Sequence, residues 1–351
     1  MNQQLSRPEK RKMAVVEKAG QVRFQEFDLA PPGPHEILLK TCYSAVCGSD
    51  LHLYHDIHPF VKAPCTIGHE LSGRVVEMGS SVNGFALGDL VAPEPVLVCG
   101  SCSYCQKGDY HMCNDISYQY RRGQAGFADY FLVDARWAHK VPEAVGEKSA
   151  ALIEPLAVAI HGVRKAGNLL AKSVAVIGAG PIGTLAAHIC QLEGASKIWL
   201  MDRNGKKLEA GTALVTEAEG VDTAKKDAVE TVLAATGGQG CDVVIECTGS
   251  EECAVYALNM AAKMGGILQM GISTRPFSQY PYARILQKEI TLWGSQGYCF
   301  DFQRAIALLT AGKLNLQAYI THEFASRDIA KAFALAADPL TDSMKIILSY
   351  E

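Results

Sequence analysis

"KSVAVIGAGPIGTLAAHICQLEGASKIWLMDRN" (residues 172–204) runs from one short apolar segment through three glycines to a second apolar segment that ends on an acid. "SVAVIG" has the length and the β-branched side chains of a buried strand. Gly178, Gly180 and Gly183 form the pattern G-x-G-x-x-G. In that spacing the first glycine makes a tight turn and the second lets backbone approach a pyrophosphate. The third packs helix against strand. A helix over about 182–193 would aim its N-terminus at the phosphates. Asp202 closes the second segment, "KIWLMD", where a carboxylate can accept hydrogen bonds from an adenosine ribose. It also repels a 2′-phosphate and so points to NAD rather than NADP, while the adjacent Arg203 could attract that phosphate.

Working outward toward the C-terminus, "CDVVIECTG" (241–249), "GGILQMGI" (265–272) and "EITLWGSQG" (289–297) read as further strands ending in small residues. "SEECAVYALNMAAK" (250–263) has helical spacing, and the polar run 210–240 reads as mostly helical crossover. Alternation of this kind predicts an α/β fold. Thr248, Gly249, Gly271 and Ile272 fall at carboxyl ends of strands, where such sheets bind ligands.

Toward the N-terminus the pattern changes. "KMAVVEK", "QVRFQEFDL", "EILLKTC", "GRVVEMG", "DLVAPEPV" and "FADYFLV" are strand-like segments separated by Gly/Pro turns, and the first eleven residues read as a loose leader. A chain of 351 residues that is 48% hydrophobic can build two cores. With 33 basic and 37 acidic side chains the formal net charge is −4, which excludes a basic nucleic-acid binder and a polybasic membrane anchor. No apolar run reaches the length of a membrane span, and the start does not read as a secretory signal. A cytoplasmic location is therefore expected, where reduced thiols make twelve cysteines a sign of metal binding or catalysis rather than disulfides.

"CGSCSYCQKGDYHMC" (99–113) places Cys99, Cys102, Cys105 and Cys113 in C-x2-C-x2-C-x7-C spacing. Four thiolates suit a tetrahedral zinc with no open position, a structural site; an iron–sulfur cluster uses similar spacings. A different set lies upstream. Cys47 in "CGSDLH" (47–52), and His69 and Glu70 in "GHELSG" (68–73), offer thiolate, imidazole and carboxylate. Such mixed sets leave a coordination position open for chemistry. Glu154 sits amid apolar residues in "ALIEPLAVAIHG", where a buried acid needs a cation or hydrogen bonds.

"GHELSGRVVEMGSSV" (68–82), followed by Gly88-Asp89, resembles the zinc signature of the medium-chain dehydrogenase/reductase family, the zinc alcohol dehydrogenases, and the four-cysteine loop resembles that family's structural-zinc lobe. The resemblance runs from about residue 12 to the end of the chain. It implies a Rossmann nucleotide-binding domain and a discontinuous, strand-rich GroES-like catalytic domain, with chemistry in the cleft between them. Boundaries are expected at 1–155 (lobe 95–115), 156–294 and 295–351. The resemblance further implies two zinc ions per chain. Cys47, His69, Glu70 and Glu154 would surround the catalytic one, with Glu70 and Glu154 alternating; Cys99, Cys102, Cys105 and Cys113 would hold the structural one. Glutamate at 154 is similar to the sorbitol, threonine and butanediol dehydrogenase branch. For the cofactor, NAD, it implies contacts from Gly178, Gly180, Pro181, Ile182, Gly183, Asp202, Arg203, Thr248, Gly271, Ile272 and Ser295. Assembly as a dimer or tetramer is implied too.

The expected reaction is reversible oxidation of a secondary alcohol to a ketone with hydride transfer to NAD. Zinc lowers the pKa of the hydroxyl, and Ser49 and then His52 carry the proton away. Asp50 would partner a zinc ligand. The polar and aromatic stretch "LHLYHDIHPFVKAP" (51–64) favours a polyol, cyclitol or sugar-derived substrate. Gln296-Gly297 stands where sorbitol dehydrogenases carry a Phe-Arg pair, which argues against sorbitol itself. Arg121 and Arg122 could serve a phosphorylated substrate. The alternatives are an L-threonine or 2,3-butanediol type of dehydrogenase and an NADP-dependent carbonyl reductase on the same scaffold.

Overall fold

A computed structural model describes residues 7–58, 61–118, 123–273, 275–338 and 340–350. The chain divides into two compact units, Met1–Glu154 with Phe302–Glu351, and Pro155–Asp301. The return to the first unit comes after Asp301, later than the 294/295 boundary expected from sequence.

The second unit is built on a six-stranded parallel sheet. Its strand order is Ala218–Asp222, Lys197–Asp202, Ser173–Ile177, Cys241–Glu246, Ala261–Gln269, Thr291–Gly294. Val174, Ala175 and Val176 in the central strand have no exposure at all, as expected for strands covered on both faces. Helix Pro181–Leu192 starts from the N-cap Gly180 with Pro181 in its first turn, where a missing N–H costs nothing. It buries Leu185, Ala186, Ile189 and Cys190 on the sheet. The edge strand Ala218–Asp222 corrects the reading of 210–240 as helical crossover. Only Val221 in it is buried, and the polar residues around Val221 hide the strand pattern.

In the first unit a sheet runs in the order Ala138–Lys140, Leu90–Pro93, Glu70–Met78, Glu36–Ala45, Lys345–Ser349, Ile320–Ala325, with Tyr130–Asp134 also paired to Glu36–Ala45. A smaller sheet orders Gln21–Asp28, Lys10–Lys18 and Cys65–Thr66. Lys10 and Arg11 belong to a strand, and Arg11 is 5% exposed, so these two residues are not the loose chain expected of them. Register in the larger sheet decides the site. Ala45 pairs with Glu70 on one side and with Ile347 on the other, and the Val46 N–H donates to the Ile346 carbonyl at 2.9 Å. Cys47, which follows directly, is thereby brought beside residues from two distant segments.

Candidate active site

Cys47 is the N-cap of helix Gly48–Tyr54. The Asp50 carboxylate folds back onto this corner and accepts the Cys47 N–H at 3.0 Å and the Gly68 N–H at 3.2 Å. It lies 3.5 Å from His69 Nδ1 and is buried, so the imidazole is oriented with Nε2 left for another partner. One ligand atom each from Cys47, His69 and Glu70 falls within 4.8 Å of the others. Glu154 stands outside that group but interacts electrostatically with His69 and Glu70.

The charge balance of the cluster fits a cation. Burial disfavours a charged His69, yet Asp50 and Cys47 together hold it well above its ordinary value. Burial pushes the Glu154 carboxyl up to about 7. A soft thiolate, an oriented imidazole and a nearby carboxylate are the donors that zinc takes at sites with an open position.

Lys345 is the member that sequence reasoning missed. Its Nζ donates to both Glu70 oxygens, at 2.6 and 2.5 Å, and the two residues are 3% and 0% exposed. Burial pushes the Glu70 carboxyl up, against the pull of this ammonium. Glu70, expected as a zinc ligand that alternates with Glu154, is thus engaged by a lysine 275 residues away. The available signal was a single charged residue in the strand "KIILS", because a buried charge has to pair.

Ser49 and His52 lie one turn apart on the helix that follows Cys47, both half-buried. Burial lowers the His52 pKa, with His55 adding to the effect, which favours the neutral, proton-accepting ring. Pro59 and Phe60 of the expected pocket stretch, and the Arg121–Arg122 pair, lie outside the described residues.

The four-cysteine loop closes on itself. Cys99, Cys102, Cys105 and Cys113 place their sulfurs within 4.8 Å of one another, and Cys99 Sγ is 4.0 Å from Cys105 Sγ. Sulfurs on a zinc at about 2.3 Å sit about 3.8 Å apart. N–H groups of Ser101 and Cys102 donate to Cys99 Sγ and draw it down to about 6. Cys105 is pushed up to about 12, by desolvation first and then by the neighbouring thiols of Cys102 and Cys113. A divalent cation relieves that crowding of thiolates. The lobe is tied to the sheet through buried Glu94, which accepts from Tyr110 at 2.9 Å and lies 2.7 Å from His139 Nε2.

In the nucleotide unit a Cβ on Gly183 would sit 1.8 Å from the Gly178 carbonyl oxygen, whereas one on Gly180 would meet nothing within 4 Å. The third glycine is thus a packing residue, and the second faces open space at a helix N-terminus that no side chain caps. This is the cradle a pyrophosphate needs. Asp202 accepts the Ala179 and Asn204 N–H groups, each at 2.8 Å, so it shapes the glycine turn as well as lining its side. Arg203 is exposed, as are Thr248 and Ile272. Gly271 is half-buried against Gly249. Ser295 donates its N–H to the Gln269 carbonyl at 3.1 Å, and its hydroxyl is buried with no hydrogen-bond partner among the described residues. His161 is held by buried Asp301 at 2.9 Å.

Comparisons with known proteins identify the family. The family model "Alcohol dehydrogenase GroES-like domain" matches residues 33–143, and "Zinc-binding dehydrogenase" matches 181–311. A sorbitol dehydrogenase of Halalkalibacterium halodurans is 36% identical over 90% of this chain and 92% of its own. A zinc-binding dehydrogenase of Sinorhizobium meliloti 1021, solved with NADP bound, superimposes with TM-score 0.89 at 28% identity, over 98% of this chain and 100% of its own. An alcohol dehydrogenase of Escherichia coli CFT073, complexed with NADH, does so with TM-score 0.88 at 26% identity, over 98% and 100%. The chain belongs to the zinc-dependent medium-chain dehydrogenase/reductase family, in its sorbitol dehydrogenase-like branch.

Proposed function

We propose that this protein oxidises a secondary alcohol of the polyol, cyclitol or sugar-derived class to a ketone, reversibly, with NAD as the hydride acceptor. The observation that carries the reading is the Cys47–His69–Glu70 cluster, oriented by Asp50 and built at a sheet register that also delivers Lys345. Bound there, zinc would supply Lewis acidity for loss of the hydroxyl proton, and a nicotinamide would supply the hydride-accepting chemistry. The chain's own residues do the rest. Asp50 fixes the His69 ring. Lys345 pairs with the buried Glu70 carboxyl and opposes its neutralisation by burial. Glu154, with its carboxyl near 7, can hold or release a proton close to neutral pH. Ser49 and His52 pass the substrate proton outward along one face of their helix.

Asp202 supports NAD over NADP, because a 2′-phosphate would meet its carboxylate. The exposed Arg203 is the feature that favours the NADP-linked carbonyl reductase alternative. Two zinc ions per chain are supported by the two separate donor sets. A homo-oligomer, dimer or tetramer, is supported by apolar exposure at the edge strand Thr291–Gly294 and the helix before it, where Tyr282, Leu286 and Leu292 lie open. A cytoplasmic location is supported by a thiolate cage that needs reduced cysteines. Among the described residues no helix is long and apolar enough to cross a membrane.

The test is cofactor reduction, followed by absorbance, with NAD or NADP and a panel of polyols, cyclitols, sugar phosphates, threonine and 2,3-butanediol. Turnover of a polyol-type alcohol with NAD supports the reading. Turnover confined to threonine or butanediol, or to NADP, moves it to the corresponding alternative. Cys47→Ser with normal rates would refute the site.

A further inference from the structure

Glu246 is a carboxylate with no exposure at the last residue of strand Cys241–Glu246, and nothing in the mechanism above uses it. Its oxygens are fully engaged as acceptors. Oε1 takes the Thr248 N–H at 2.6 Å, the Thr248 hydroxyl and the Gly249 N–H at 3.1 Å. Oε2 takes the Gly249 N–H at 3.0 Å and Gln269 Nε2 at 2.5 Å. The same Gln269 amide donates to the Gly271 carbonyl at 3.0 Å, and the Glu246 carbonyl accepts the Met270 and Gly271 N–H groups at 2.8 and 2.9 Å. The two loops are interlocked to the limit of space. A Cβ on Gly271 would lie 2.1 Å from the Gly249 nitrogen, and one on Gly249 would lie 2.3 Å from the Ile272 carbonyl oxygen.

The place of this knot in the sheet gives it meaning. Strands Lys197–Asp202 and Cys241–Glu246 flank Ser173–Ile177 on opposite sides. Each ends on a carboxylate that gathers backbone N–H groups of an adjacent turn. The Asp202 side borders the adenosine half of a dinucleotide. The Glu246 side borders the other half, and a Cβ on Gly178 would meet Thr248 Cγ2 at 2.9 Å. We infer that Glu246 is the positioning residue for the nicotinamide half of the cofactor: it holds Thr248–Gly249 and Gly271–Ile272 as one rigid surface without touching the cofactor itself. This rests on the nicotinamide-cofactor reading above.

The chemistry demands an all-acceptor group. In Glu246→Gln, whichever way the amide turns, its NH2 faces at least one N–H donor, so donor is set against donor and the shared anchor of the two loops is loosened. The experiment uses the zinc-loaded full chain and measures binding of the reduced cofactor that wild type prefers, NADH or NADPH. It also measures the fragment that lacks the nicotinamide, ADP-ribose or its 2′-phosphate. Glu246→Gln is expected to weaken the whole cofactor about tenfold, because binding must then order the loops that Glu246 holds in wild type, and to leave the fragment within roughly twofold. A larger deuterium isotope effect on kcat with carbon-deuterated alcohol should accompany it, because hydride transfer becomes the slower step. Glu246→Asp, which keeps the charge, should recover part of the affinity. Equal losses for cofactor and fragment, or no loss for either, overturn the inference. Should Glu246→Gln fail to fold, Gln269→Leu decides by the same comparison, since it removes only the strut between Glu246 and Gly271. Wild type that binds neither cofactor nor fragment overturns the nicotinamide reading, and this inference with it.

Discussion

Lys345→Met separates the buried ion pair from the rest of the site. In the folded chain Lys345 Nζ lies 2.6 and 2.5 Å from the two Glu70 oxygens, in a place where both residues are almost fully excluded from water. Methionine fills similar volume but leaves a carboxylate with no counter-charge. Breaking one half of a buried pair costs about 3–5 kcal/mol, most of it the stranded charge rather than the lost attraction. For a unit of this size that is a fall in Tm on the order of 10 °C. Thermal and urea unfolding of zinc-loaded wild type, Lys345→Met, Glu70→Gln and the double variant close the cycle. The double variant should recover most of the stability lost by Lys345→Met, because no bare charge remains. If Lys345→Met is as stable as wild type, or if the two losses simply add, the reasoning is refuted: Glu70 would then owe its charge to something other than Lys345.

Cys102→Ser should lower metal content by about one zinc per chain and make the lobe at 99–113 sensitive to protease, since a hydroxyl is a poor fourth ligand in a thiolate set; unchanged metal content would count against the cage. Gly183→Ala should abolish tight dinucleotide binding, because its Cβ would lie 1.8 Å from the Gly178 carbonyl oxygen and force the turn open; calorimetry with NADH checks this. Asp242 tests the acid limb of stability. Burial raises its carboxyl, but the Ser173 hydroxyl and N–H, at 2.6 and 2.8 Å, outweigh that and leave it lowered. A lowered carboxyl stabilises the fold above its unfolded pKa and loses that contribution as pH falls through the folded value. Asp242→Asn should therefore cost stability at neutral pH, with the gap closing below the usual carboxylate range; a gap that is constant with pH would contradict the assignment.

Several features were legible in the sequence because their chemistry is completed within a few residues. The glycine turn at 178–183, the four-cysteine cage and the Cys47–Asp50 corner are short-range devices whose spacing is their geometry. Buried strands with continuous apolar runs were legible for the same reason. The edge strand Ala218–Asp222 was not, since an edge needs only one buried residue and its polar neighbours erase the period.

The sequence by itself determined the family, and its spacings already grouped Cys99, Cys102, Cys105 and Cys113 in one loop and Gly178, Gly180 and Gly183 in one turn. Only the tertiary structure decided that Lys345 closes the charge balance around Glu70, and that Glu246 ties two loops into one surface. It also decided that the chain leaves the nucleotide unit after Asp301. The physical reason is common to all three. A buried charge is tolerated only beside its partners, and a boundary falls where contacts stop. Both depend on which distant segments the sheet registers bring together, a relation that no local pattern of residues contains.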